Sequence, residues 1–494
     1  MPAGRSLPSP QVLIPLGAGF VALILGVLSG VDPKLGIGAA VGLTFVGIVL
    51  VDLFAGFAVM MLFAYMETLS TLQGFSLAKV AGIVIAGSWL AMMTSSRRDV
   101  RNPFAERPGL MYVLLLFVGW TAISITWSED RGEAATSVTR YALNALLIPI
   151  AYTAVRNRED VVRLFGVLLV GAGVAAVSGI VDAPNASQYD VSRASGTAGD
   201  PNELAAALVI GFALGAAFVV NRHIDVRARL GAGFVALLCL AGIAATLSRG
   251  GLIGLAIAGM VAIVVGGRWR GRVVAAAFGV ALLAITYFAV FASSDARDRV
   301  LVSNGGSGRI DLWTIGLRMF DAHPIRGIGT GQYITSSVHY LLRPGAFERG
   351  DLILTAPKIA HNTYLGTLAE LGAVGLALFL AIVVMCARSM WLAVKTFEAQ
   401  DDERLEILCR GLVVGCAGYA ASLFFISENY KKVMWLVFAL GPVLLAVARS
   451  RSEAARDPGV AGGPAPLALT GPRDPDDDAA GPAGPARPVV GARA

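Results

Sequence analysis

The chain has 494 residues, of which 56% are hydrophobic and only 15% are charged, and its formal net charge is +6. Soluble domains carry roughly 25% charged residues, so this composition excludes an ordinary soluble protein and predicts a polytopic membrane protein. The basic residues lie in short connections between apolar runs rather than on one soluble face, which argues against nucleic-acid binding. The four cysteines lie in or beside apolar runs without a C-x-x-C pair, so neither a disulfide nor a metal site is expected.

Apolar segments of membrane-spanning length divide the chain. A bilayer crossing takes ~20 apolar residues, and on this basis residues 1–292 carry the N-terminal transmembrane helices, with one of the spans at 138–155, and residues 363–448 the C-terminal ones. Residues 293–362 form a long non-spanning loop between them. Residues 449–494, rich in Pro, Gly, Ala and Asp, are expected to be a disordered tail. The predicted fold is all-α, with about 12 to 14 transmembrane helices.

Clusters of arginine mark alternate connections between these segments, near Arg97, Arg158, Arg222 and Arg268. Because short basic loops stay in the cytoplasm, this distribution predicts that both termini are cytoplasmic. The same rule places three stretches on the outer side of the membrane, namely residues 182–201, 248–251 and 293–362.

The outer loop 293–362 has the features of a structured segment. Apolar residues recur at helical spacing between positions 310 and 320, which predicts an amphipathic helix lying on the membrane surface. The Gly-x-Gly-x-Gly run at 327–331 lacks the Lys-Ser/Thr pair and the preceding strand of a nucleotide-binding loop, so it is a weak phosphate signal. Arg309 and Arg326 flank the amphipathic segment and are the loop's better candidates for phosphate contact.

Arg193 precedes a predicted helix start on the outer side. Asp200 suits an N-cap and Pro201 suits the first helical position. A helix N-terminus beside an arginine can hold a phosphate through backbone N–H groups and the guanidinium fork. An ordinary capped loop with a solvated arginine fits the same residues.

Arg249 lies in a short turn, Ser248-Arg249-Gly250-Gly251, between two apolar runs. Placing an arginine at membrane depth costs free energy, and an arginine on the outer face is contrary to the positive-inside rule. We therefore expect Arg249 to have a function. The two glycines would let a ligand or another backbone approach closely. The alternative is an arginine that extends to the headgroup level without a functional role.

His361 lies where the outer loop meets the next apolar segment, which makes it the histidine best placed for chemistry. The ordinary pKa of histidine, about 6.5, suits a general base for an acceptor hydroxyl. A single histidine at such a junction can also be structural.

Four segments with distinctive composition follow one another along the chain. They are Arg193-Ala-Ser-Gly-Thr with the later Asp200-Pro-Asn; Ser248-Arg249-Gly250-Gly251; Gly308-Arg-Ile-Asp-Leu-Trp313 through His323-Pro-Ile-Arg-Gly-Ile-Gly-Thr-Gly331; and His361-Asn-Thr-Tyr-Leu365 through Ala369-Glu-Leu-Gly-x-x-Gly-Leu376.

In this order the four segments resemble the O-antigen ligase and O-antigen polymerase superfamily of bacterial envelope proteins, over roughly residues 190 to 380. The resemblance implies a glycosyltransferase in the bacterial cytoplasmic membrane that uses neither a metal ion nor a cofactor. It would move a glycan from undecaprenyl pyrophosphate to a hydroxyl of a lipid or glycan acceptor on the outer face. The expected partners are therefore the lipid-linked donor, the acceptor and membrane lipid, with no nucleic acid.

Carried over to this chain, the resemblance assigns catalytic roles to three residues. Arg193 and Arg249 would hold the pyrophosphate, and His361 would activate or orient the acceptor hydroxyl, with inversion of the anomeric centre. We expect Arg309, Arg326 and Asn362 to contact the substrate.

Three alternatives remain open at this stage. Ligases and polymerases share the motif pattern, so the acceptor is undefined. A transporter of an anionic solute would also place arginines beneath an outer lid, although such transporters often contain inverted repeats. A scaffold for envelope assembly would need none of this chemistry.

Overall fold

The structure is a computed structural model that describes residues 10–65, 71–72, 75–94, 100–182, 193–301, 308–342, 344, 347 and 358–456. The predicted tail beyond Arg456 lies outside the described residues. Over the described ranges the fold is all-α, as predicted, and the strand pairing they contain is a two-residue antiparallel contact of Thr71–Leu72 with Phe75–Ser76.

The helices of the N-terminal half are α1 (Pro10–Val31), α2 (Pro33–Val51), α3 (Leu53–Ala64), α4 (Leu77–Thr94), α5 (Pro103–Glu106), α6 (Pro108–Ser124), α7 (Arg131–Ala145), α8 (Leu147–Ala154) and α9 (Arg158–Asp182). Those that follow are α10 (Pro201–Val220), α11 (Val226–Thr246), α12 (Arg249–Val265), α13 (Arg270–Thr286), α14 (Ser294–Leu301), α15 (Arg309–Ala322), α16 (Tyr333–Leu341), α17 (Thr363–Ala399), α18 (Glu403–Ser422) and α19 (Lys432–Arg456).

Within the described ranges, eight helices are long and apolar enough to cross a membrane, and five shorter apolar helices accompany them. The eight comprise α6, α9, α10, α11, α13, α17, α18 and α19, and the shorter ones comprise α1, α2, α3, α4 and α12. The predicted polytopic membrane fold is thereby confirmed. One predicted span, residues 138–155, is instead divided between α7 and α8, because α7 carries many polar residues and the apolar α8 has only eight residues.

Helix α10 is at the centre of the bundle and packs against α9, α11, α12 and α18. Small residues make these close approaches possible, as at Gly211, where an added Cβ would stand 2.4 Å from the Cβ of Ala172. Small side chains at helix contacts are typical of membrane bundles, in which packing rather than water exclusion drives association.

Ion pairs join the connections at one end of this bundle. Arg158 pairs with Asp402, and Arg268 pairs with Glu406 at 3.1 Å. Arg410 reaches the same Glu406 at 2.8 Å, and both of these side chains are buried. This end gathers the arginine-rich connections of the sequence, while the opposite ends of α9, α11 and α18 lie beside the predicted site residues.

Helix α17 is broken at Gly372, which has φ +68° and ψ −171°. The break frees backbone carbonyls that a continuous helix would use internally. Ile328 N–H donates to the Ala369 carbonyl at 3.1 Å, and Gly329 N–H donates to the Glu370 carbonyl at 2.8 Å. The glycine-rich turn at 324–331 is therefore docked into the broken helix by backbone hydrogen bonds, and its glycines serve packing rather than phosphate binding.

We predict that Gly372→Ala destabilises the fold by on the order of 3 kcal/mol, because an L-residue is strained at this φ and its Cβ would stand 2.2 Å from the Ile325 carbonyl oxygen. The measurement is the thermal unfolding midpoint of the purified protein. Gly366→Ala in the same helix is the matched control, since its Cβ would meet its nearest neighbour, the Cβ of Ala360, at an ordinary 3.7 Å. Equal midpoints for the two variants would contradict the account of the break.

Candidate active site

Four of the helices that begin at the site end of the bundle are α10 at Pro201, α12 at Arg249, α15 at Arg309 and α17 at Thr363. Their N-terminal N–H groups and dipoles make this region favourable for an anion, independently of the side chains. Three of the four starts have a side-chain cap: Asp200 for α10, Ser248 for α12 and Asn362 for α17.

Arg193 ties the loop before α10 to the end of α11. Its Nε donates to the Thr246 carbonyl at 2.9 Å, and its terminal nitrogen donates to Asn202 Oδ1 at 3.2 Å. The Ser248 hydroxyl donates to the same Asn202 oxygen at 2.8 Å. Through Asn202, Arg193 is thus held beside the start of α12, close to Arg249.

Arg249 is half-buried, and its guanidinium donates to the Arg299 carbonyl, with Nε at 2.8 Å from the oxygen. The glycines beside it serve helix packing, since a Cβ on Gly250 would stand 2.7 Å from the Cβ of Phe425 and one on Gly251 would stand 2.4 Å from that of Ala205. The sequence allowed either a ligand or another part of the chain to approach these glycines. In the structure, neighbouring helices and turns approach them.

Arg309 lies within the fields of several charged groups. Burial lowers the pKa of its guanidinium, and Arg249 and Arg299 lower it further, while Asp200 opposes the shift. Its guanidinium lies 5.9 Å from the centre of the Phe425 ring. Arg249 and Arg299 thus lie near Arg309, and this arrangement favours a bound anion because an anion would relieve the repulsion between the arginines.

His361 has a left-handed backbone conformation with φ +47°, which is uncommon for a residue other than glycine and is typical of functional sites. Burial lowers the pKa of its imidazole, and the positive charges of Arg309 and Lys358 lower it further, while Asp200 opposes them. The imidazole is therefore neutral at neutral pH and able to accept a proton.

The turn between α18 and α19 holds these parts together. Thr363 N–H donates to the Leu423 carbonyl at 2.9 Å, and the Thr363 hydroxyl donates to the Ile426 carbonyl at 2.7 Å. Ser422 donates to the Gly250 carbonyl at 3.3 Å, which connects the same turn to α12. His361 and Arg249 are thereby placed against one common turn.

The remaining two predicted residues, Asn362 and Arg326, have other surroundings than the arginine cluster. Asn362 is buried, and its Oδ1 accepts from Leu365 N–H at 3.0 Å, so this atom caps α17. Arg326 is exposed and lies 5.7 Å from the centre of a ring of Trp127. Among the described contacts, none joins Arg326 to Arg193, Arg249, Arg309 or His361.

Sequence reasoning missed four residues that shape the site. Arg299 carried the same signal as Arg249, a basic residue on the predicted outer side, and was not singled out. Asp200 was recognised only as a cap, and Glu370 was quoted in a motif without a role. Phe425 had no sequence signal, because only the fold brings it beneath Arg309.

Glu370 joins the site to the glycine-rich turn. It is buried and accepts hydrogen bonds from Gly331 N–H at 3.0 Å, Tyr333 N–H at 3.1 Å and the Tyr430 hydroxyl at 3.0 Å. It also lines a cavity of about 570 Å³ that reaches Ala360, the neighbour of His361. Within the described ranges, no group of three or more His, Cys, Asp or Glu side chains gathers as a metal site requires.

A family model described as O-antigen ligase matches residues 234–380 of the chain. The matched segment contains Arg249, Arg309, Arg326, His361 and Asn362, and Arg193 lies ahead of it. No curated protein matches the chain. The resemblance that the sequence segments indicated is thus confirmed over residues 234–380, where the chain is similar to the O-antigen ligase family.

Proposed function

We propose that the protein is a glycosyltransferase that moves a glycan from undecaprenyl pyrophosphate to an acceptor hydroxyl on the outer face of the bacterial cytoplasmic membrane. The observation that carries the proposal is the crowding of Arg249, Arg299 and Arg309 beside a half-buried histidine whose pKa is lowered. The similarity of residues 234–380 to the O-antigen ligase family supports the same chemistry.

The arginine cluster suits a pyrophosphate leaving group. Negative charge grows on the pyrophosphate oxygen as its bond to the sugar breaks, and guanidinium groups fixed beforehand stabilise that charge without reorganisation. The helix N-termini at positions 201, 249 and 309 add partial positive charge in the same region. In this proposal the arginines supply the positive charge that the reaction needs, so neither a metal ion nor a cofactor takes part.

His361 acts as the general base. Its neutral imidazole accepts the proton of the acceptor hydroxyl, the hydroxyl oxygen forms a bond to the anomeric carbon, and the electron pair of the breaking bond remains on the pyrophosphate. Attack from the side opposite the leaving group inverts the anomeric centre. Arg193 positions Asn202 and the start of α12, and Asn362 orients the helix that follows His361.

The proposed orientation follows from the two ends of the bundle. Arginines 158, 268, 404 and 410 gather at the end away from His361, in pairs with Asp402, Glu159 and Glu406. The positive-inside rule assigns that end, and both termini, to the cytoplasm. His361 then faces outward, where lipid-linked glycans are joined to their acceptors.

We predict that Arg249→Ala lowers kcat/KM for glycan transfer about 100-fold or more, because stabilisation of the leaving group is lost. Arg249→Lys keeps the charge but not the guanidinium fork, so we expect a large loss there as well. The matched control is Arg229→Ala at the other end of α11, where Arg229 Nε likewise donates to a backbone carbonyl, that of Val219 at 2.9 Å. A lysine variant with wild-type activity would show that Arg249 merely extends towards the headgroups.

The pH dependence of glycan transfer should reflect the protonation of His361. A base acts only when deprotonated, so activity is present above the pKa of His361 and falls as the pH drops through it. Because that pKa is lowered, this fall in activity, the acid limb of the pH profile, should lie below about 6.5. Arg309→Gln removes a charge that lowers this pKa, and the limb should therefore move to higher pH. Arg326→Gln, over the ring of Trp127, should leave the limb in place. A limb at the same pH in wild type and Arg309→Gln would argue against His361 as the base.

The transfer assay itself uses membrane vesicles, an undecaprenyl-pyrophosphate-linked glycan and EDTA. We expect transfer by the wild type to survive EDTA and to be abolished in His361→Ala, because the base is lost while the arginine cluster remains. Transfer that needs an added divalent cation would contradict the proposed role of the arginines. Solute uptake by the same vesicles, without transfer from any donor, would favour a transporter instead.

A further inference from the structure

Thr363, the first residue of α17, is bonded to the turn between α18 and α19 through each of its polar groups. The residue is fully buried. Besides the two bonds described above, its hydroxyl accepts from Glu428 N–H at 2.9 Å, and its carbonyl accepts from the side-chain amide of Asn429 at 3.4 Å. The hydroxyl thus accepts one hydrogen bond and donates another, to the Ile426 carbonyl, so its direction is fixed.

The same turn contacts the helices that carry the arginines. The Arg309 guanidinium lies 5.9 Å from the centre of the Phe425 ring, and Phe425 packs so closely on α12 that a Cβ on Gly250 would stand 2.7 Å from its own Cβ. Because Thr363 is bonded to this turn, the start of α17 is held in a fixed position relative to α12 and α15.

His361 lies two residues before Thr363, in a conformation that the surrounding structure must support. Its φ of +47° is a left-handed value that a residue other than glycine adopts at a cost, and such strain persists only where neighbouring contacts enforce it. The chain then passes through Asn362, which is extended with φ −156° and caps α17. Thr363, whose main chain is bonded to another part of the fold, therefore fixes the end of this strained segment.

From this arrangement we propose that Thr363 is a positioning residue for His361. Its hydroxyl fixes the imidazole relative to Arg249 and Arg309, so that the acceptor hydroxyl and the pyrophosphate are bound at the separation that direct displacement needs. The inference rests on the proposed function and adds to it a residue that acts through the backbone. A displacement of about 1 Å in a reacting group can lower a rate about 100-fold, which sets the size of the effect to look for.

Two substitutions of Thr363 separate the contribution of the hydroxyl from that of the methyl group. Thr363→Val puts a methyl group where the hydroxyl now lies 2.7 Å from the Ile426 oxygen and 2.9 Å from the Glu428 nitrogen, distances too short for carbon, so the turn must move away. Thr363→Ser keeps the hydroxyl and both hydrogen bonds. In the vesicle assay we expect Thr363→Val to lower kcat about 10- to 100-fold with the donor KM changed less than about twofold, and Thr363→Ser to remain close to wild type.

Thr153 provides a matched control near the other end of the bundle, in the last turn of α8. It is also buried, and its hydroxyl likewise accepts from one N–H, that of the Trp89 indole at 3.0 Å, and donates to a carbonyl, that of Pro149 at 3.1 Å. Thr153→Val should therefore lower the thermal unfolding midpoint as Thr363→Val does, while its kcat per folded protein stays at the wild-type value. Equal losses of kcat in the two valine variants would show that Thr363 serves only stability and would overturn the proposal.

The titration of His361 tests the position of its ring without any transfer. The chain has four histidines, so the Cε1 resonances of isotope-labelled histidine in nanodisc-bound protein can be assigned with the help of His361→Gln. Burial lowers the pKa of this imidazole, Arg309 of α15 and Lys358 lower it further, and Asp200 before α10 opposes them. A ring that leaves this place should titrate closer to the ordinary value of about 6.5, so the midpoint should rise in Thr363→Val and stay unchanged in Thr363→Ser.

The titration and the transfer assay can fail separately. An unchanged midpoint in folded Thr363→Val would overturn the positioning role, and a midpoint that rises equally in Thr363→Ser would overturn the role of the hydroxyl. A raised midpoint in the valine variant of a protein that transfers no glycan would instead refute the proposed function and leave Thr363 as the residue that positions the histidine. If Thr363→Val does not fold, Thr363→Ala removes the hydroxyl without pressing a methyl group against the turn, and an unchanged midpoint there would overturn the proposal equally.

Discussion

The docking of the glycine-rich turn into broken helix α17 is the interaction on which the site depends. Gly372 interrupts the helix, and the carbonyls of Ala369 and Glu370 become acceptors for Ile328 and Gly329. The Glu370 carboxylate then accepts hydrogen bonds from the backbone N–H groups of Gly331 and Tyr333, which come next along the chain. Backbone hydrogen bonds thus fix the loop that connects two membrane helices. They hold α15, and with it Arg309, in one place.

Positive charges lie close together at the site. Burial lowers the pKa of Arg309, the neighbouring Arg249 and Arg299 lower it further, and Asp200 opposes the shift. Burial lowers the pKa of His361 as well, and the charges of Arg309 and Lys358 lower it further. In the proposed reaction one arrangement of charges would thus serve two purposes, since it would attract an anionic leaving group and favour a base in the form that accepts a proton.

The sequence was informative about this site to different degrees. Arg249, Arg309 and His361 could be chosen as candidates because arginine on an outer face and histidine at a loop–helix junction are unusual in so apolar a chain. The separation of Arg326 from them could not, because it depends on the direction in which the turn at 324–331 leaves α15. Phe425 was equally out of reach, since a phenylalanine in an apolar stretch carries no signal of its neighbours.

By itself, the sequence determined the all-α membrane fold, the order of its apolar helices and the segments that hold the candidate site residues, because hydropathy and charge are local properties that the bilayer selects directly. Only the tertiary structure decided which helix starts converge, that the span predicted at 138–155 is divided, and that Glu370 lines a cavity that reaches Ala360. These features depend on contacts between residues far apart in the chain, such as Thr363 with Leu423 and Glu370 with Tyr430. No local pattern encodes such contacts, since packing complementarity exists only once both partners are in place.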